Sequence, residues 1–265
     1  MVSAFTHLLR AIFLTMTAFL LWSCEQLITV KLQGGQDNVV VESFVTNGRG
    51  PFYVKLSQSQ DYYNQSAMAG IEKAVVQMVD STLSENLVER GSGYYSTTKI
   101  KGTSGHTYHL NVTASGKKYS ATVKLPPPVR IDTVYFRPDP NVKDSLNVFV
   151  EFQDPGGVEN FYRIKLYRNG RFAVNDYYLI TDTYIDGQRL FSPFYYREFA
   201  RGDTVLVELE NIERSTWRYF KGLSETIQQG VNLQAPGTPP SNLSGGALGY
   251  FGAWGTSTYR VIIRK

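Results

Sequence analysis

The chain has 265 residues, of which 42% are hydrophobic and 14% aromatic, so it can bury a substantial core and is not intrinsically disordered. Its formal net charge is +4, but the basic residues are interspersed and form no lysine–arginine block that could follow a phosphate backbone. We therefore expect no nucleic-acid partner, and the single cysteine excludes a disulfide framework within the chain.

The N-terminus has the pattern of a signal peptide over residues 1–23. The uncharged stretch 11–22 has 12 residues, whereas a membrane-spanning helix needs about 20. Leu21 lies three positions before Cys24 and Ser23 directly before it, which resembles the lipobox of bacterial lipoproteins. The resemblance implies cleavage before Cys24, acylation of its thiol and amine, and a lipid anchor. The alternative is an ordinary secretory signal with an incidental cysteine.

An acylated Cys24 leaves the mature chain of 242 residues, 265 minus 23, without a free thiol. A cysteine nucleophile and a thiolate metal site are then both excluded. Residues 24–36 are predicted to form a lipidated tether, with Gly34-Gly35 as its hinge.

The first part of the mature chain predicts a β-sandwich over residues 37–126. Short segments rich in Val, Thr, Tyr and Phe recur there and favour strands. Six or seven strands in about 90 residues fit a sandwich of immunoglobulin size. Pro126-Pro127-Pro128 ends the unit, because proline cannot donate to a strand ladder and stiffens a linker. The predicted strands are 38–46, 52–58, 74–80, 93–99, 107–114 and 118–125.

Residues 127–265 predict a second β-sandwich that carries one packed helix. Apolar residues alternate along 146–153, and Asn169-Gly170 predicts a hairpin turn. Ser215 or Thr216 is expected to cap a helix over about 215–229. The fold class is therefore all-β, with two tandem sandwiches of the immunoglobulin or fibronectin-III kind. The other predicted strands are 131–137, 160–168, 171–181, 204–210, 249–254 and 257–264.

The sequence offers no recognisable catalytic constellation. It has no G-x-S-x-G motif, and the odd spacing of His106 and His109 sends their side chains to opposite faces of a strand. A shared histidine metal site is therefore disfavoured. A carboxylate pair that meets only in space stays open, but nothing singles one out. We expect no enzyme activity, no cofactor and no metal site.

Two acidic loops have the oxygen-rich character of calcium loops, at 139–144 and 182–187. Neither carries the distal glutamate of an EF-hand. Because Asp and Asn are also common turn residues, we favour turns and leave calcium open.

Aromatic residues cluster in adjacent pairs, at 62–63, 94–95 and 177–178 and in the run 194–196. Neighbours on a strand point to opposite faces, so one ring of each pair is expected near solvent. Exposed tyrosines anchor interfaces or stack on ligands; the alternative is that they cover strand edges or the interdomain joint. Loop 61–70 and segment 183–197 are the predicted binding face. Its predicted contact residues are Tyr62, Tyr63, Tyr184, Phe194, Tyr195 and Tyr196.

An ordered set of short segments resembles the domain-of-unknown-function 4249 (DUF4249) family. The similarity extends over nearly all of the mature chain, although each segment is weak alone. The segments are Cys24-Glu25, VVVES at 39–43, GPFYVKLS at 50–57, GYY at 93–95, YSA at 119–121, IDTV at 131–134, DP at 154–155, NFYRI at 160–164 and GYFGA at 249–253.

This resemblance implies an outer-membrane lipoprotein of Bacteroidota, encoded beside a TonB-dependent receptor, with no established catalytic residues. The expected function is a non-catalytic accessory subunit of nutrient uptake, which binds a glycan, peptide or siderophore or docks on the receptor. The alternatives are a structural adhesin and, less favoured, a surface hydrolase. We expect surface exposure rather than a periplasm-facing anchor, although Glu25 alone follows Cys24 where surface-exported lipoproteins often carry several acidic residues.

Overall fold

The computed structural model describes residues 38–60, 67–173, 177–231 and 237–264, without the side chains of 195–198 and 228–231. Strands dominate this part of the chain and are accompanied by helix α1, Arg214–Val231. The strands are β1 Val39–Thr46, β2 Tyr53–Gln58, β3 Val75–Val79, β4 Ser84–Asn86, β5 Val88–Gly91, β6 Tyr94–Ser96, β7 Thr107–Ala114, β8 Lys117–Lys124, β9 Ile131–Pro138, β10 Leu146–Gln153, β11 Phe161–Arg168, β12 Arg171–Phe172, β13 Tyr178–Thr181, β14 Arg189–Phe199, β15 Thr204–Ile212 and β16 Leu248–Ile262.

These strands form three sheets. The largest has the order β12-β11-β15-β16-β1-β2-β6-β5, with β13 also paired to β11. A four-stranded sheet (β4-β3-β7-β8) and a three-stranded sheet (β14-β10-β9) pack against different halves of it. The described chain therefore forms two β-sandwiches, and the predicted fold class is confirmed.

Side-chain alternation fills the core of the N-terminal sandwich. Along β1, Val41 and Val45 are fully buried while Phe44 between them faces the opposite side of the sheet. The facing sheet contributes Met78 and Leu110, which are also fully buried. Burial of this apolar surface is the main stabilising contribution to this sandwich.

The C-terminal sandwich follows its predicted pattern in β10. Val148, Val150 and Phe152 are fully buried on the core face, as the alternation predicts. Phe149 faces the other side but is also buried, because its ring stacks on Tyr135 with 5.0 Å between centroids. An outward position is therefore covered by a cross-strand aromatic neighbour.

The Asn169-Gly170 turn confirms the predicted hairpin. Its two residues have φ values of 49° and 79°, so both lie in the left-handed region that a type I′ turn requires. The turn joins β11 to β12, and Arg168 pairs with Arg171 across it.

Strand β16 belongs to both sandwiches, which the sequence does not predict. Its first half, Leu248–Trp254, pairs with β1 in parallel, and its second half, Trp254–Ile262, pairs with β15 antiparallel. The two strands predicted at 249–254 and 257–264 are thus one. Phe251 consequently packs into the N-terminal core, although the predicted division at residue 126 assigns it to the second sandwich.

The triproline linker crosses β16 at the point where the strand changes partners. A Cβ placed on Gly255 would lie 2.4 Å from the Pro128 nitrogen and 2.6 Å from the Pro126 carbonyl oxygen. Only glycine permits so close an approach of two backbones. Asn211 also donates its side-chain amide to the Pro127 carbonyl at 3.0 Å. The linker is therefore held against both sandwiches.

Helix α1 begins one to two residues earlier than predicted because Glu213 supplies the cap. Its Oε1 accepts a hydrogen bond from the Thr216 amide at 3.2 Å, which satisfies an unpaired donor of the first turn. The helix packs Phe220 onto Trp254 of β16, with ring centroids 6.4 Å apart. Within the residues that the structure describes, no helix is long and apolar enough to span a membrane.

A buried ion pair lies beneath this helix. The Arg163 Nε donates to the Glu210 carboxylate, and both side chains are almost fully buried. The guanidinium lies 3.9 Å from the Phe220 ring centroid, within cation–π range. Charge pairing and ring contact therefore fix the helix against β11 and β15.

Candidate binding site

Several of the predicted contact residues lie outside the described part of the chain. Cys24, Tyr62 and Tyr63 belong to segments that the structure does not describe. Tyr195 and Tyr196 lie in β14, but their side chains are also outside the description. Their proposed roles stay predictions.

Tyr184 lies in the loop between β13 and β14 with 93% of its surface exposed. The loop around it is held by backbone hydrogen bonds. The Ile185 amide donates to the Asp182 carbonyl at 2.7 Å, and the Gln188 amide donates to the Ile185 carbonyl at 3.0 Å. An exposed ring on an ordered loop agrees with the prediction of a tyrosine available to a partner.

Phe194 does not contribute to an exposed surface. It is 4% exposed and packs against Tyr178, with ring centroids 4.1 Å apart. Its position on β14 directs it into the C-terminal core. Phe194 therefore leaves the set of candidate contact residues, because a buried ring has no free face for a ligand.

The expectation that one ring of each aromatic pair lies near solvent holds at Tyr94 and Tyr95. Tyr94 is 42% exposed, whereas Tyr95 is 1% exposed and donates its hydroxyl to the Ile71 carbonyl at 2.9 Å. At the next pair both rings are half-buried: Tyr177 stacks on Phe220, and Tyr178 packs on Phe194. At this pair each ring therefore packs on another aromatic ring, and neither lies fully exposed to solvent.

Three half-exposed rings gather on the outer side of the large sheet, in the N-terminal sandwich. Phe44, Tyr53 and Tyr94 come from β1, β2 and β6, which are neighbouring strands. Ser43 pairs with Val54 and Lys55 with Tyr94, so the three rings occupy adjacent cross-strand positions. We call these residues the aromatic face.

The aromatic face carries a neutralised charge pair. Lys55 lies 3.1 Å from the Glu42 carboxylate, and this hydrogen bond and charge raise the pKa of Lys55. Phe44 also stacks on Trp254, with centroids 4.6 Å apart, which holds its ring in place. The face is therefore apolar and ordered, and it carries no net charge from this pair.

Sequence reasoning expected one ring of the Tyr94-Tyr95 pair near solvent without deciding which, and it missed Phe44 and Tyr53. The available signal was strand alternation: positions 42 and 44 must face away from a core that contains 41 and 45. Which strands become neighbours was not available from the sequence.

A second cluster brings together three carboxylates from two loops of the C-terminal sandwich. Oxygens of Asp154, Asp182 and Asp186 all lie within 4.8 Å of one another. The sequence analysis considered Asp182 and Asp186 as oxygen ligands but not Asp154, which follows β10 and meets them only in space.

Hydrogen bonds within the chain already occupy most of these oxygens. Asp154 accepts the Tyr162 hydroxyl and the Gly187 amide, the latter at 2.9 Å. The Asn160 amide donates to Asp182 at 2.7 Å, and the Gly157 amide donates to Asp186 at 2.8 Å. The cluster thus ties the two loops together.

The electrostatics of this cluster are unfavourable for three charges. Burial raises the pKa of Asp182, and the neighbouring carboxylates of Asp154 and Asp186 raise it further. Burial also raises the pKa of the Tyr162 phenol, as does its hydrogen bond to Asp154. Carboxylate oxygens are the ligands that calcium prefers. Among the residues that the structure describes, Asp154, Asp182 and Asp186 are therefore the group that could hold a calcium ion.

The comparison with family models decides the affiliation of the chain. A model described as "Domain of unknown function (DUF4249)" matches residues 25–260. The chain belongs to this family. No curated protein matches it.

Solved structures similar to this DUF4249 chain contain fibronectin type-III domains. A two-domain fibronectin type-III segment of chicken tenascin is 10% identical, with 66% of this chain and 91% of that chain covered and a TM-score of 0.21. The FN1–FN3 domains of chicken CNTN1 are also 10% identical, with coverages of 88% and 69% and a TM-score of 0.27. TM-scores this low support no inference about the function of this chain.

Proposed function

We propose that this DUF4249 protein is a non-catalytic lipoprotein, anchored in the outer membrane by acylated Cys24, that serves as an accessory subunit of a TonB-dependent nutrient-uptake system. In this proposal the domains are displayed at the cell surface. They dock on the receptor barrel, and the complex handles a glycan, peptide or siderophore.

The observation that carries the proposal is the aromatic face of Phe44, Tyr53 and Tyr94. Large aromatic rings are enriched in protein interfaces and supply much of the binding energy there. Each of these rings keeps between 42% and 52% of its surface exposed, on three neighbouring strands. Because the Glu42–Lys55 pair is already neutralised, we expect a partner surface without strong net charge.

The proposed anchor and this face are compatible in distance. Strand β1 begins at Val39, which is 39 minus 24, or 15, residues after Cys24. A segment of this length spans at most about 50 Å when fully extended. A lipidated Cys24 would therefore keep the N-terminal sandwich close to the membrane, where a receptor barrel lies.

Co-purification from native membranes tests the docking surface. Full-length protein with a C-terminal tag is extracted in mild detergent, and a TonB-dependent receptor is sought by mass spectrometry. We expect the wild type to retain the barrel and the double variant Tyr53→Ala/Tyr94→Ala to lose most of it. The matched control is Phe172→Ala, which removes an exposed ring from the other sandwich.

Two results would count against the proposal. If the barrel is recovered equally with the double variant, the aromatic face is not the docking surface. If Cys24→Ala remains in membranes after a carbonate wash, the lipid anchor is not formed at this residue.

A further inference from the structure

One edge of strand β16 loses its neighbour where the two sandwiches meet. Strand β1 pairs with β16 only as far as Trp254, whereas β15 pairs with β16 on the other side as far as Ile262. Among the residues that the structure describes, no strand takes the place of β1 beyond Trp254. An unpaired strand edge presents a row of backbone amides and carbonyls that can pair with another chain.

The side-chain amide of Asn47 takes the place of β1 for one further residue. Its nitrogen donates to the Thr256 carbonyl at 3.2 Å, and its oxygen accepts the Thr256 amide at 2.7 Å. The backbone groups of Thr256 therefore point to the side of β1. Successive residues of a strand direct their backbone groups to opposite neighbours, so every second residue after Thr256 points the same way. These residues are Thr258, Arg260 and Ile262, and we call them the open edge.

The end of β16 shows the same alternation independently. The Ile263 amide donates to the Asp203 carbonyl at 2.9 Å, and the Ile263 carbonyl accepts the Gly202 amide at 2.8 Å, both on the side of β15. Ile263 is an odd number of positions from Thr256, so its opposite direction is the one that alternation requires. Outside the strand ladders, no backbone hydrogen bond of the described residues involves the open edge. Its amides and carbonyls are therefore available to a partner.

The open edge is also accessible. Its side chains are exposed on the outer face of the sheet, to 61% at Ile262. Tyr259 and Val261, which alternate with them, pack against the C-terminal core. The linker towards β9 passes on this inner face, where the Ser257 hydroxyl donates to the Val129 carbonyl. The linker therefore leaves the open edge uncovered.

Two other sheet edges of the chain are protected. On β8, the Ser244 amide donates to the Ser120 carbonyl at 2.8 Å, and the Ser120 amide donates to the Ser244 hydroxyl at 2.9 Å. On β14, Pro193 lies in the middle of the strand and has no amide to donate. The open edge has neither a covering segment nor a proline within the described residues.

Arg260 gives the open edge a positive charge. No ion pair within the described residues includes this side chain. Opposite charges on directly facing strand positions stabilise a sheet, and like charges destabilise it. Two copies of this chain joined antiparallel through their open edges would place the two Arg260 side chains opposite each other. The charge therefore disfavours a second copy and favours a partner with a carboxylate.

We propose that the open edge binds an extended acidic segment of a partner protein, which adds to the large sheet as an antiparallel strand. Backbone hydrogen bonds provide the affinity in strand addition, and alternate side chains provide the specificity. Antiparallel pairing is slightly more stable per residue than parallel pairing. The segment carries Asp or Glu opposite Arg260 and an apolar residue opposite Ile262, which lies two positions earlier in the segment.

Amide hydrogen exchange of the full-length protein in detergent, followed residue by residue by NMR, tests whether the edge is free. We expect fast exchange at the open edge and slow exchange at Ser257, Tyr259 and Val261, whose amides point to β15. Slow exchange at the open edge in the free protein would overturn the proposal, because another segment or a second copy would already occupy it.

The probe for binding is the acetylated and amidated peptide Val-Thr-Glu-Thr-Thr, which places its glutamate opposite Arg260. Its addition should slow exchange at the open edge. The analogue with lysine in place of glutamate should bind about tenfold more weakly. N-methylation of the first, third and fifth residues, whose amides face the edge, should abolish binding. N-methylation of the second and fourth residues, whose amides face away, is the matched control and should not.

Variants of the protein locate the site. Arg260→Glu should weaken binding of the glutamate peptide about tenfold, whereas Lys124→Glu, on the edge strand β8 of the other sandwich, should not change it. Thr258→Pro should abolish binding while the melting temperature stays close to that of the wild type, because proline replaces an amide that points away from β15. Ser257→Pro should lower the melting temperature, because it removes an amide that points to β15.

Three results would count against this site. Equal affinity for the glutamate and lysine peptides would overturn the acidic partner. Unchanged binding in Arg260→Glu and Thr258→Pro would overturn the location, and no binding of the glutamate peptide would overturn the site. None of these results depends on Cys24, the aromatic face or a receptor barrel, so the proposed function is tested separately.

Discussion

The two sandwiches share an architecture but differ in what they bury. In the N-terminal sandwich the buried polar residues that the structure describes are uncharged: Ser43, Ser57, Ser96 and Thr97. Every buried charged residue of the described chain lies in the C-terminal sandwich. These residues are Asp154, Arg163, Asp182, Asp203 and Glu210.

The difference follows from what each sandwich must hold in place. In the N-terminal sandwich the described buried residues are apolar or uncharged. The C-terminal sandwich also positions a helix, through Arg163 and Glu210, and the loops after β10 and β13, through Asp154 and Asp182. A buried charge is costly, but its directional partners favour one arrangement.

The largest effect is expected from Glu210→Ala. This change leaves Arg163 buried without its carboxylate, and loss of one partner of a buried pair costs about 3–5 kcal/mol. Urea denaturation should show this loss in the free energy of unfolding. The matched control is Glu42→Ala, which removes the exposed partner of Lys55 and should cost about 0–1 kcal/mol. Equal losses in the two variants would contradict the contrast between the sandwiches.

An intermediate effect is expected at the joint, from Gly255→Ala. The added Cβ would meet the backbone of the triproline linker at 2.4–2.6 Å, so the linker or β16 must move. Overpacking of this kind typically costs about 1–3 kcal/mol, and thermal denaturation should show a lower melting temperature. Gly48→Ala is the control, because its Cβ would meet only the Thr46 hydroxyl at 3.4 Å. A tolerated Gly255→Ala would show that the linker is not fixed against β16.

The smallest effect is expected in the pH dependence of stability, and it has opposite signs for two buried carboxylates, Asp203 and Asp182. Burial alone would raise the pKa of Asp203, but hydrogen bonds from Ala200, Asn169 and Arg168 outweigh it and lower the pKa. Its stabilising contribution is therefore present above the ordinary value of 3.8 and is lost as the pH falls below it. Burial raises the pKa of Asp182, so its charge opposes folding near neutrality, and this penalty disappears as the pH falls towards 3.8.

Melting curves of Asp203→Asn and Asp182→Asn between pH 3 and pH 7 measure this difference. On acidification, the stability advantage of the wild type over Asp203→Asn should shrink. Over the same range the wild type should gain stability relative to Asp182→Asn. Parallel pH profiles for the two variants would refute the opposite directions of the two pKa shifts.

The sequence by itself determined the local features of this protein. Alternation predicted the buried face of β10, and the Asn169-Gly170 pair predicted its hairpin. The proline triplet lies where the chain leaves the first core, although Phe251 later returns to that core. These features depend on neighbours within a few positions, through the strand period, the turn geometry and the missing amide of proline. The family resemblance was likewise carried by short segments, and the match over residues 25–260 confirms it.

Only the tertiary structure decided which of these segments meet. Strand β16 joins both sandwiches, Asp154 meets Asp182 and Asp186 across two loops, and β16 beyond Trp254 keeps one edge without a strand partner among the described residues. Phe194 has the same chemistry as the exposed rings, yet its strand position buries it. Strand pairing between distant segments sets these contacts. The alternation of side chains along one strand does not specify which other strand pairs with it.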